Sequence, residues 1–137
     1  MKKVLFLFAF CTISTLSFAQ WGVSYHQSNL PFIGINTQLG EKWLPEFRIG
    51  TDNYVENLGF ELVANYLIKS EESTQIYVGA GARANIFGGA VITSGINYYP
   101  FNKKDFGFHM EAAPLINVES GLIFRGSFGI RYRFLKE

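Results

Sequence analysis

Two groups of residues in this chain have the chemistry to react or to bind. His26 and Ser28 stand two apart in the string His26-Gln27-Ser28-Asn29, and on an extended strand such positions project to one side. An imidazole beside a hydroxyl is the minimum for an activated nucleophile, with a carboxylate wanted to orient the ring. Glu41 or Glu46 could fill that role only if the fold brought one of them close. The second group is ionic: Glu46, Glu61 and Glu111 with Arg48, Arg83, Arg125, Arg131 and Arg133, joined by His109. Carboxylates alone could act as acid and base, but carboxylates set against five guanidinium groups read better as structural ion pairs. The single cysteine, Cys11, lies in the apolar N-terminal stretch, so the rest of the chain has no thiol for a disulfide, a metal or a nucleophile. Neither a metal site nor a cofactor is expected. Gly79, Gly81, Gly88 and Gly89 make no phosphate loop, because no helix follows them.

The elements that must position these residues follow from a period of two. From Phe124 to Phe134 the residues Phe124, Gly126, Phe128, Ile130, Tyr132 and Phe134 alternate with Arg125, Ser127, Gly129, Arg131 and Arg133. That alternation is a β-strand with one greasy and one cationic face, and it cannot be an amphipathic helix. The same template fits Leu58 to Ile68 and Gln75 to Asn85, and more weakly Trp21 to His26, Phe32 to Leu39, Leu44 to Thr51, Ala90 to Tyr99 and Phe106 to Ala112. Turn-forming stretches separate them, including Gln27 to Pro31, Asn102 to Asp105 and Pro114 to Gly121. Eight strands of about nine residues with seven connections of about five need roughly 107 residues. The expected fold is therefore all-β, a single eight-stranded antiparallel up-and-down barrel with short connections.

The N-terminus bears an export signal. Lys2 and Lys3 precede an apolar run from Val4 to Leu16, and Ser17-Phe18-Ala19 offers small residues at the two positions a signal peptidase reads. Residues 1–19 are expected to be removed by cleavage before Gln20, which leaves residues 20–137 as one domain. Phe10 before Cys11 is too bulky for a lipoprotein site. Of 12 Lys plus Arg and 11 Asp plus Glu, loss of Lys2 and Lys3 leaves ten against eleven. Nothing in that balance suggests nucleic acid as a partner.

Charge distribution indicates which face is inside. Every Arg falls on the polar face of a strand, whereas Lys42, Lys69, Lys103, Lys104 and Lys136 fall in turns or at the terminus. A water-exposed face would mix in Lys. Arg and Glu kept together suggest an enclosed network, in which the planar guanidinium bonds carboxylates bidentately. The apolar face would then meet lipid, where a charge near the midplane costs about 2 to 4 kcal/mol. With the N-terminus at the periplasmic end, Trp21, Trp43, Tyr66, Tyr98, Tyr99, Phe101, Phe106, Tyr132 and Phe134 gather near one rim, as amphipathic rings do at a lipid–water boundary.

The closing strand Gly129-Ile130-Arg131-Tyr132-Arg133-Phe134 resembles the C-terminal strand of outer-membrane barrels, and the whole exported chain is similar to the small OmpA/OmpX-like barrels. Here Leu135-Lys136-Glu137 follow the terminal aromatic, where that family usually stops. The resemblance implies an outer-membrane location, outer-membrane lipids as surroundings and insertion by the barrel-assembly machinery through the last strand. An eight-stranded barrel has a lumen that side chains can fill, so a closed interior is expected rather than a pore. The His26-Gln27-Ser28-Asn29 string resembles the His-x-Ser-Asn string of outer-membrane lipid A deacylases, which would imply a hydrolase using His26 and Ser28. A soluble periplasmic, lipocalin-like binding barrel with its apolar face inward is the other alternative. The main reading is a barrel with a structural or surface-interaction role, its loops presenting Ser28, Asn29, Asp52, Asn53, Tyr54, Asn57, Asn117 and Glu119. A sheet pattern does not encode an oligomeric state.

Overall fold

The computed structural model describes residues 2–4, 20–51, 58–85, 88–117, 119 and 121–135. Apart from residues 2–4, the expected signal segment lies outside them, as do Asp52, Asn53, Tyr54 and Asn57. The described chain forms β1 (Gln20–Gln27), β2 (Phe32–Gln38), β3 (Trp43–Gly50), β4 (Phe60–Ser70), β5 (Thr74–Ala84), β6 (Gly89–Tyr98), β7 (Phe106–Asn117) and β8 (Gly121–Arg133). Each strand pairs antiparallel with the next, and β1 pairs with β8, Gly22 to Gln27 against Arg133 to Phe128, to close the barrel. Closure leaves no sheet edge around the waist, so the ladder satisfies the backbone polar groups there.

Alternation sorts side chains as the period of two requires. Outward positions are apolar and exposed, among them Ile33, Ile35, Phe47, Leu62, Val78, Ile92, Met110, Phe128 and Ile130. Inward positions are buried and largely polar. A soluble lipocalin-like barrel has the opposite polarity, with its apolar face lining a ligand cavity. That alternative is corrected by the phase of the strands, which puts Arg48, Glu61, Arg125 and Arg131 inside and Leu62 and Phe128 outside.

Several boundaries differ from the sequence expectation by one or two residues, as where Trp43, Lys69, Ser70 and Thr74 join strands, and the largest difference is at β7. The loop expected from Pro114 to Gly121 is strand as far as Asn117, and β8 begins at Gly121. Pro114 is tolerated because it faces outward and pairs with Phe124, while the β6–β7 ladder passes from Val91↔Leu115 to Ser94↔Ala112 with no pairing between. The N–H that proline lacks falls in that gap. Tyr99 also departs from its expected place. Whereas Trp43, Tyr98, Phe101, Tyr132 and Phe134 are exposed near the terminal rim, Tyr99 is 1% exposed and turns inward.

Glycine makes room for large inward rings. A Cβ on Gly95 would lie 2.5 Å from the Tyr77 hydroxyl, and one on Gly107 would lie 2.5 Å from the Tyr99 ring. Apolar layers close the polar lumen at both ends. Val91, Ala113 and Leu115 pack with Ile123 at the end away from the termini, and Leu44, Leu67 and Tyr77 pack towards the termini.

Candidate functional site in the lumen

The phase that turns Arg125 and Arg131 inward on β8 also turns Glu46 and Arg48 inward on β3, Glu61 on β4, Arg83 on β5 and Glu111 on β7. In an eight-stranded barrel β3 stands opposite β7 and β4 opposite β8, so ion pairs between them span the lumen. Arg48 donates from Nη1 and Nη2 to the two oxygens of Glu111 at 2.8 and 2.6 Å. Arg125 donates likewise to Glu61 at 2.5 and 3.0 Å. These two forks cross-brace the barrel, and each joins strands that share no ladder.

Every carboxylate is shared. Glu46 accepts from Arg48 Nε at 2.5 Å and from Arg131 Nη2 at 3.1 Å, with Asn36 Nδ2 at 3.3 Å and the Ser24 hydroxyl at 3.4 Å. Glu61 accepts from Arg83 Nη1 at 2.6 Å as well as from Arg125. Glu111 also accepts from the Tyr77 hydroxyl at 2.5 Å. Bringing charges out of water is costly unless each retains several good partners, and charge-assisted forks of this length are the strongest such contacts.

Phe32 is central to this packing and was not singled out by sequence. Its ring is fully buried, with the guanidinium carbons of Arg48 and Arg125 at 4.6 and 4.5 Å from its centroid and the His26 ring stacked at 4.0 Å. The quadrupole of an aromatic face attracts cations on both sides. Its strand phase, shared with Gly34 and Asn36, was the available signal, but a Phe at a strand start reads as apolar-out. Tyr77 shares the face of Arg83 in the alternation of β5, but alternation does not say that its hydroxyl reaches Glu111 of β7.

Among the described residues Arg133 takes no carboxylate. Its Nε and Nη2 donate to the Lys104 carbonyl at 2.9 and 2.6 Å, Nη2 also reaches the Glu72 carbonyl at 3.0 Å, and its guanidinium lies 3.5 Å over Tyr99. Together Arg133 and Tyr99 form a lid at the terminal end. Burial raises the pKa of the Tyr99 phenol, and its hydroxyl stays protonated under that cation. His109 bonds to no carboxylate among the described residues either; its ring lies against His26 with centroids 3.8 Å apart and planes tilted by 42°.

The expected pairing of His26 with Ser28 does not form. β1 ends at Gln27, and the chain turns so that the Ser28 hydroxyl accepts the Leu30 N–H at 3.0 Å. His26 points into the lumen, where Nε2 meets the Ser24 hydroxyl at 3.1 Å and Nδ1 the Ser127 hydroxyl at 3.4 Å. Glu46 Oε1 lies 3.5 Å from the same Nε2, so it and the Ser24 hydroxyl meet one nitrogen while the Ser127 hydroxyl meets the other. All four groups are buried in the lumen, and Glu46 is already held by Arg48 and Arg131. Among the described residues no group of three His, Cys, Asp or Glu is placed to hold a metal ion.

No family model matches the chain, and no curated protein sequence matches it. Solved structures do. The N-terminal β-barrel domain of Pseudomonas aeruginosa OprF superposes with a TM-score of 0.68 at 17% identity, over 84% of this chain and 97% of that one. A de novo designed transmembrane barrel gives 0.63 at 18%, over 86% and 94%. The attachment invasion locus protein Ail of Yersinia pestis gives 0.58 at 12%, over 85% and 97%. At these identities the likeness is one of fold: the chain has the closed, eight-stranded antiparallel architecture of the small outer-membrane barrels.

Proposed function

We propose that this protein is a small outer-membrane β-barrel, exported by a leader cleaved near Ala19, with a structural or surface-interaction role and a lumen locked by its Arg and Glu network. The observation that carries this reading is the polarity of the wall, with a continuous exposed apolar exterior around a buried ion-paired interior. Such a surface in water would be an aggregation site; in a bilayer it is the face that lipid requires. The aromatic residues at the terminal rim and the Lys-bearing turns at that same end suit a periplasmic interface. Its last strand would be the part engaged by the barrel-insertion machinery.

The forks between Arg48 and Glu111 and between Arg125 and Glu61 cross the space a permeant solute would need, so the barrel acts as a wall rather than a channel. The similar fold of OprF and Ail, neither described as an enzyme, and the separation of His26 from Ser28 support a non-enzymatic role. Ail has also been solved with the heparin analogue sucrose octasulfate. In this chain the segments at the end away from the termini, residues 27–31, 51–59, 85–88 and 117–121, contain no Lys or Arg, so a polyanion is not proposed as the partner. Fractionation combined with gel mobility tests the reading. Pelleting with the outer membrane and a mobility that changes on boiling are expected; recovery in the soluble fraction without detergent would overturn it.

A further inference from the structure

Towards the termini, the lumen holds three inward side chains that the ion-pair network leaves half used. His109 of β7 pairs across the ladders with Asn97 of β6 and Gly129 of β8, and Arg131 is the next inward residue of β8, opposite Gly107. His109, Arg131 and Asn97 are each 2% exposed or less. Among the described residues, both ring nitrogens of His109, Nε and Nη1 of Arg131 and Oδ1 of Asn97 have no hydrogen-bond partner. The ladder positions that separate Arg131 from His109 are Gly107 and Gly129, so no side chain from these positions comes between them.

Two buried guanidinium groups, Arg48 and Arg131, share the carboxylate of Glu46, and Arg131 has the weaker share. Its contact with Glu46, at 3.1 Å, is longer than the 2.5 Å contact of Arg48 to the same group. A buried cation with open donors is expensive unless a counter-charge meets it, and buried polar groups without protein partners mark the place of an ordered water or ion.

We propose that this chamber binds one small monovalent anion of halide size, held by Arg131 Nε and Nη1 and by the N–H of a neutral His109. The anion gives Arg131 a second counter-charge and accepts three donors at once. One water beside it donates to Asn97 Oδ1 and to the bare nitrogen of His109, so all five open atoms are met. Glu46 faces the chamber through its bond to Arg131 and is itself covered by Arg48, Asn36 and Ser24, which lessens its repulsion of the guest. With Tyr99 and Arg133 closing the terminal end, the anion enters as the barrel folds and stays with it.

The test uses the full barrel refolded into detergent micelles. Crystals of barrel refolded in sodium bromide are expected to show anomalous density within hydrogen-bonding distance of Arg131 and His109. In parallel, the thermal midpoint is measured as chloride replaces gluconate at constant ionic strength. Above the dissociation constant, each tenfold rise in chloride should raise the midpoint by about 4 °C, and Arg131→Gln should abolish that dependence. If Arg131→Gln does not refold, His109→Phe, which keeps a ring against His26 and removes the donor, is compared in the same way. Equal midpoints in chloride and gluconate for the parent protein, or density for water alone, overturn the proposal. A bromide peak without chloride-dependent stability marks an adventitious ion only and overturns it equally. Neither readout depends on where the barrel resides in the cell.

Discussion

Arg125 of β8 and Glu61 of β4 meet across the full width of the barrel, 64 residues apart in sequence and joined by a fork of 2.5 and 3.0 Å. The contact is tertiary in the strict sense, because no ladder brings β4 and β8 together. It braces the lumen across its width. Arg48 and Glu111 do the same between β3 and β7.

Removing one arm of this brace leaves the other buried and unpaired. Arg125→Gln is expected to lower unfolding stability by about 3 to 5 kcal/mol, read from urea midpoints of the refolded barrel. Glu61→Gln should cost a similar amount, and the double variant should fall short of the sum by about 0.5 to 3 kcal/mol because the two groups are coupled. Strict additivity would mean the fork contributes nothing as a pair.

Two glycines on opposite faces predict opposite outcomes. A methyl on Gly95 would meet the Tyr77 hydroxyl, which is pinned by its 2.5 Å bond to Glu111, and would also lie 2.6 Å from the Met110 carbonyl. Gly95→Ala should destabilise by about 1 to 3 kcal/mol. Gly126 faces outward, and its nearest neighbour would be Phe124 Cε1 at 4.0 Å. Gly126→Ala should leave the urea midpoint nearly unchanged.

The outer face should reject charge where the inner face demands it. Phe128 lies mid-strand on β8 and is 63% exposed. Phe128→Lys is expected to cost about 2 to 4 kcal/mol on folding into bilayers of ordinary thickness. The comparison is with the parent barrel, by the fraction that gains heat-modifiable mobility. A fully soluble protein would instead gain solubility from the same change.

Ser28 serves the turn and no reaction. Ser28→Ala removes the acceptor for the Leu30 N–H and should cost about 1 kcal/mol of stability. Mass spectra of lipid A from cells overproducing the parent or the variant should show the same acyl chains. Loss of an acyl chain with the parent protein alone would restore the hydrolase reading.

Surface binding should be indifferent to polyanions. With no Lys or Arg in the segments opposite the termini, the folded barrel in micelles should pass a sulfated-polysaccharide column at physiological salt without retention. Retention that salt abolishes would point to cations elsewhere on the rim.

Much of the barrel was legible because alternation has one physical meaning in a closed sheet. The phase that separated Phe128 from Arg131 in sequence separates lipid face from lumen in the fold. The partners were not legible. Nothing in the order of residues says that Arg48 will fork onto Glu111 rather than Glu61, since that depends on how far each strand is staggered around the wall. Pro114 misled because proline usually ends a strand, and only an outward position beside a gap in the ladder let β7 continue. Tyr99 misled because it lies just past β6, where strand phase no longer dictates direction. His26 and Ser28 share a spacing but not a strand, as β1 stops between them.

The wall is not of even height. β1 to β3 are 7 or 8 residues long, whereas β4 to β8 are 10 to 13. At about 3.3 Å per residue and a tilt near 40°, one side rises roughly 19 Å and the other roughly 29 Å. A bilayer meeting both at once must thin beside the short strands, or the cylinder must lean until the two sides share the mismatch. In the proposed membrane setting, the lipid around the barrel would be deformed unevenly, most along β1 to β3.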